Sequence, residues 1–173
     1  MRKLAVPALS VCLCFLPNIA QAANDTDSSD QRAMKLKACG TKDKEISFSA
    51  GTDKKTHPIP APAEGKAMVY VIRPTMMGNK IQTKFAVDGE WKGANRGDNY
   101  FFLELEPGEH YFCSQSENRD ALMLTLEPGK TYFIQQHIVG GFVKVRNRLE
   151  VIPEDKGREK LTELNLATWE VKK

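Results

Sequence analysis

Between residues 67 and 152 apolar and polar side chains alternate in short runs, and most runs end at a turn signal. Residues 67–73 are apolar and β-branched and stop at Pro74. Ile81, Thr83, Phe85 and Val87 share one face of a strand, with Gln82, Lys84 and Ala86 on the other. Asp88-Gly89 then signals a tight turn. Runs at 101–105, 111–115, 122–126, 132–139 and 142–152 complete about seven strands. In the last, Val143, Val145, Asn147, Leu149 and Val151 oppose Lys144, Arg146, Arg148 and Glu150, which makes one face wet. The spacing predicts an all-β fold, an antiparallel β-sandwich of the immunoglobulin or fibronectin kind, over 67–153. Past Pro153 the period lengthens: Leu161, Leu164 and Leu166 or Ala167 predict a short amphipathic helix and tail over 154–173. Gly157 weakens that helix by ~1 kcal/mol relative to alanine.

One phrase occurs twice, Leu103-Glu104-Leu105-Glu106-Pro107-Gly108-Glu109-His110-Tyr111-Phe112 and Leu124-Thr125-Leu126-Glu127-Pro128-Gly129-Lys130-Thr131-Tyr132-Phe133. Two local structures fit it. In a β-hairpin, Pro107-Gly108 and Pro128-Gly129 form type II turns and the phenylalanines are core. In a tyrosine corner the chain passes from one sheet to the other, and the hydroxyl of Tyr111 or Tyr132 bonds upstream backbone. The corner register turns Tyr111 and Cys113 inward, and likewise Tyr132 and Ile134. Type II turns splay right-twisted strands, which favours the corner for at least one copy.

The chain opens with Arg2 and Lys3, an apolar run over 4–16, and Ala20-Gln21-Ala22, the layout of a secretory signal peptide with cleavage near Ala22. The apolar run falls short of the ~20 residues a bilayer span needs. Val11 precedes Cys12 and Leu13 precedes Cys14, where a lipid-modification signal has a small residue, so lipid anchoring is not expected. Cleavage removes 22 of the 173 residues and two positive charges from a formal +3. The near-neutral remainder has no basic block to suggest nucleic acid. Residues 23–66 read as a flexible leader and a proline-rich arm, His57-Pro58-Ile59-Pro60-Ala61-Pro62, with a possible helical turn at 34–39 and short strand at 46–48. Cys39 and Cys113 are the cysteines left after cleavage, and in an exported chain such a pair forms a disulfide.

The order of motifs from residue 66 to 160 resembles the domain of unknown function 2846 family. The residues that carry the likeness are Ala67-Met68-Val69-Tyr70-Val71-Ile72-Arg73-Pro74, Val87-Asp88-Gly89, Asn99-Tyr100-Phe101 and Glu106-Pro107-Gly108-Glu109-His110. Gly129-Lys130-Thr131-Tyr132-Phe133 and Glu154-Asp155-Lys156-Gly157-Arg158 continue it. The resemblance implies an exported, β-rich domain, often a lipoprotein, and carries no catalytic residues.

Chemistry is sparse. His57, His110 and His137 have no ligand or triad spacing, no nucleophile elbow is present, and neither Cys39 nor Cys113 has a metal-ligand neighbour. No catalytic residue, cofactor or metal is therefore expected. Arg96-Gly97-Asp98 reads as part of a turn-rich loop over 93–99. Trp91, Tyr100 and Phe102, with Arg96 beside them and Arg73 and Arg119 as possible rims, are the candidate contact surface; the alternative is a second layer covered by the arm or the C-terminal helix. The sequence supports a non-catalytic binding module of the cell envelope, its partner a protein or glycan. An inhibitor of an envelope-attacking enzyme, using the 93–99 loop and Arg96, or a small hydrolase built on His110 or His137, are the alternatives.

Overall fold

The computed structural model describes residues 22–75, 78–140 and 146–172. The signal-peptide reading, apart from Ala22, lies outside the described residues, as do Val143 and Val145. The elements in chain order are helix α1 (Ala22–Cys39) and strands β1 (Phe48–Asp53), β2 (Ala67–Arg73), β3 (Thr83–Val87), β4 (Glu90–Asn95), β5 (Asn99–Leu105), β6 (Gly108–Gln115), β7 (Arg119–Leu126), β8 (Thr131–Val139) and β9 (Arg146–Ile152). Helix α2 (Glu154–Leu161) and strand β10 (Asn165–Val171) follow. The molecule is mainly β, in two sheets. One has the order β1-β10-β5-β2-β8-β9 and the other β4-β3-β6-β7. Neighbours are antiparallel except β2–β8 and β5–β10, which run parallel.

Val69, Val71, Phe85, Phe101, Phe112, Leu126 and Ile134 meet between the sheets and form the main core. Every residue of β2 is buried, because this strand lies inside the larger sheet and both its faces are covered. Val69 and Val71 look into the sandwich, while Met68, Tyr70 and Ile72 look out against Tyr100, Phe133, Leu161 and Leu164. A strand buried on both faces reads as a continuous apolar run, which is what 67–72 shows. Helix α1 lies over the outer face of the smaller sheet, where Ala38 and Cys39 pack with Ala86, Trp91 and Cys113. The Asp88-Gly89 turn has positive φ at both residues, 51° and 83°, the backbone that a two-residue hairpin of right-twisted strands requires.

Three expectations change. Residues 22–39 form one helix in place of a leader with a helical turn. The sandwich is not confined to 67–153, and its strands among the described residues number ten rather than about seven. The expected C-terminal helix ends at Leu161, and the expected tail is β10, pairing antiparallel with β1 and parallel with β5. The helical spacing of Leu161 and Leu164 is real, but it spans the helix end and a turn. From Asn165 the side chains alternate instead, sending Ala167 and Trp169 to the core.

Candidate functional site

Both Pro-Gly phrases carry the chain between sheets. The first joins β5 in the larger sheet to β6 in the smaller, and the second returns from β7 to β8. In the second, Gly129 has φ +73° and Pro128 precedes it. The Tyr132 hydroxyl accepts the Glu127 N–H at 2.9 Å, and Tyr132 and Ile134 face the sandwich core. In the first, Gly108 opens β6 directly after Pro107, and the facing is reversed. Phe112 enters the core, while Tyr111 and Cys113 turn outward beneath α1. The Tyr111 hydroxyl contacts Glu109 and accepts from Lys37 at 3.2 Å, with no backbone partner among the described residues. The connection is two residues long in the first copy and four in the second, so equal sequence spacing follows different backbone paths.

Cys39 and Cys113 form a disulfide that ties the end of α1 to β6, with Cα atoms 5.1 Å apart.

The four candidate contact residues do not share a surface. Tyr100 is 0% exposed, and its hydroxyl donates to Pro58 O at 2.9 Å. Tyr70 donates to Pro60 O at 2.6 Å, and His57 stands edge-on over Tyr100 with ring centroids 5.0 Å apart. The proline-rich arm thus covers this face, and Phe102 packs half-buried beside Tyr70. Burial raises the Tyr70 phenol to about 12, helped by neighbouring Tyr100 and opposed by Arg158. Burial raises the Tyr100 phenol as well. Trp91 belongs to the other sheet, beneath α1, with Lys84 Nζ 4.7 Å and the Arg119 guanidinium 5.9 Å from its ring centroid. Glu45 binds both cations, at 2.9 Å for Arg119.

The 93–99 stretch does not protrude either. Gly93, Ala94, Asn95, Gly97 and Asn99 are buried and Arg96 is half-buried. A methyl group at Gly97 would lie 2.2 Å from Thr75 Oγ1. Asp98 accepts the Thr75 N–H at 3.0 Å and the Asn79 amide at 3.4 Å. Arg96-Gly97-Asp98 is a packed turn, as a turn-rich loop implies, and is unsuited to the protruding loop that the alternative inhibitor reading requires.

The histidines are dispersed. His110 bridges two turns, with Nδ1 2.6 Å from Asp88 Oδ2 and Nε2 2.9 Å from Glu106 O. His137 lies on β8. Gln135 Nε2 is 3.2 Å from its Nδ1, so Nδ1 accepts and the hydrogen resides on Nε2. That Nε2 is 2.8 Å from Glu150 Oε2, off the axis of its N–H.

His137 also lines a cavity of about 290 Å³ at the end of β2. Its polar wall is Arg73, Thr75, Gln135, His137 and Lys160. Pro74 and Ile138 supply the apolar part. Arg73 is 1% exposed. Its two terminal nitrogens donate to the carbonyls of Ile81 and Gly78, the latter at 2.9 Å, and its Nε is buried with no partner among the described residues. Burial lowers this guanidinium to about 10, against the opposing pull of Asp98, so it stays charged near neutral pH. Arg73, in sequence no more than a possible rim of the aromatic patch, instead lines this cavity. The signal was there: a strand buried end to end closes on an arginine, and a buried arginine calls for partners.

Residues 63–147, which run from the end of the arm into β9, match a family model described as "Protein of unknown function (DUF2846)". No curated protein matches the chain. The matched segment holds β2 to β8 entire, together with both Pro-Gly corners and the arginine that closes β2, and it is this segment that resembles the DUF2846 family.

Proposed function

We propose that this protein is an exported, non-catalytic binding module of the cell envelope, and that it recognises its ligand at the cavity beside Arg73. The observation that carries the reading is the cavity itself: a concave site with an apolar wall, a few convergent polar groups and a buried charge held by a rigid strand end. The aromatic face considered in the sequence is closed by the arm and α2, which leaves this cavity as the better site. Neither His110 nor His137 hydrogen-bonds a hydroxyl among the described residues, and both are engaged by other groups, which supports binding over hydrolysis.

A library of neutral, cationic and anionic fragments, screened by NMR against the oxidised, isotope-labelled chain from Ala23, tests the reading. Saturable shifts at Ile138 and His137 are expected from at least one class. Silence around the cavity from every class overturns it. Export is tested on its own, since the mature protein should begin at Ala23 and retention of Met1 would refute the signal peptide.

A further inference from the structure

The cavity is built around a cation that forms no ion pair among the described residues. Arg73 spends both terminal nitrogens on main-chain carbonyls, which satisfy hydrogens but bring no net charge. Asp98 is the acidic group it feels, but that carboxylate hydrogen-bonds Thr75 and Asn79 and offsets the guanidinium only through space. Arg73 forms no ion pair among the described residues. Buried charges are ordinarily paired, because a lone one is costly to hold away from water. Lys160, projecting from α2 into the same lining, likewise forms no ion pair among the described residues. Glu150, beside His137, pairs with Arg148, so the cavity cations without an ion pair among the described residues are Arg73 and Lys160.

We infer that this cavity takes a small carboxylate, with Lys160 donating to its oxygens, Arg73 supplying the field behind them, and Pro74 and Ile138 receiving the alkyl part. The inference rests on the binding reading above. A fixed charge in a low-dielectric wall is screened less than one in water, so Arg73 favours an anion even without touching it. A single direct ammonium donor beside an apolar surface suits a singly charged group with a substituent. Phosphate asks for several converging donors. The volume, at the lower end for ligand sites, limits the ligand to a short chain.

The test compares butanoate, its neutral near-isostere butanamide, and inorganic phosphate on the same oxidised chain, by calorimetry and the Ile138 methyl resonance. Butanoate should bind saturably and at least about tenfold tighter than butanamide, as one charge-assisted contact warrants. Phosphate should leave the Ile138 methyl unmoved. Lys160→Gln, which disturbs no hydrogen bond of the described fold, should weaken butanoate about tenfold and leave butanamide unchanged. Arg73→Met is the second variant, read only if its circular dichroism matches the parent. Equal binding of the amide, tighter binding of phosphate, no butanoate binding, or indifference to Lys160→Gln overturns the carboxylate inference. The cavity reading survives those results, and falls only if the whole fragment library is silent there.

Discussion

The two tyrosines of the repeated phrase carry different hydroxyl partners, and their removal separates a structural contact from a surface one. Tyr132→Phe strips the acceptor from the Glu127 N–H at the β7–β8 corner, and should cost about 0.5–1.5 kcal/mol. Tyr111→Phe loses contacts to Lys37 and Glu109 at the surface, and should cost less than about 0.5 kcal/mol. Urea denaturation of both variants checks this, and equal losses would argue against the corner. A second expectation concerns pH. An unfolded phenol titrates near its ordinary value of 10.0, whereas Tyr70 is held up to about 12 and Tyr100 is raised as well. Between those values the folded state keeps protons that the unfolded state has lost, so stability is intact below about pH 10 and falls as pH rises toward about 12. Phenolate absorbance followed beside circular dichroism should show two of the four tyrosines titrating only as the fold is lost. All four titrating near pH 10 in a folded protein would contradict it. At this scale the sequence revealed residue types better than facings. Tyr132 and Ile134 point as the corner register requires, while Tyr111 and Cys113 point the other way, because the shorter first connection starts β6 at Gly108.

Elements were legible where their own side chains supply the core volume. Strands β2, β3, β5 and β8 announce themselves by apolar runs or alternation. Strand β4 does not: in Trp91-Lys92-Gly93-Ala94-Asn95 the inward volume at Gly93 comes from β10, whose Trp169 ring would lie 2.6 Å from a methyl group placed there. A strand packed by someone else's side chain leaves no hydrophobic period. Gly157 shows the same limit in α2. Propensity alone scores it as a defect, yet a methyl group there would come within 2.1 Å of the Phe133 ring. Gly157→Ala should therefore destabilise by about 1–3 kcal/mol despite the better helix former. A thermal melt reports the sign, and a raised midpoint would show that helix propensity outweighs the close approach.

On the scale of the whole molecule, segments far apart in sequence assemble each important feature. The cavity draws on the end of β2, on β8 and on α2, and only the parallel β2–β8 pairing brings Arg73 near His137. No local pattern encodes that pairing, so the site was not readable in advance. The disulfide was readable, because cleavage near Ala22 would leave two cysteines and one connectivity. It closes a separation of 74 residues, and replacing both cysteines with serine should cost up to about 4 kcal/mol in the chain-entropy account. A urea midpoint equal to the parent's would overturn that expectation. The pairing of β1 with β10 carries a further consequence for the family segment. The excised 63–147 stretch would keep β2 to β8 but shed α1, β1, most of β9, α2 and β10. Met68, Tyr70, Tyr100 and Phe133 would then face water, and β5 and β8 would become bare edges, ready to add strands from other copies. The segment that matches the family model is thus a sticky fragment on its own, and the flanking elements are what cover its outer face and its edges.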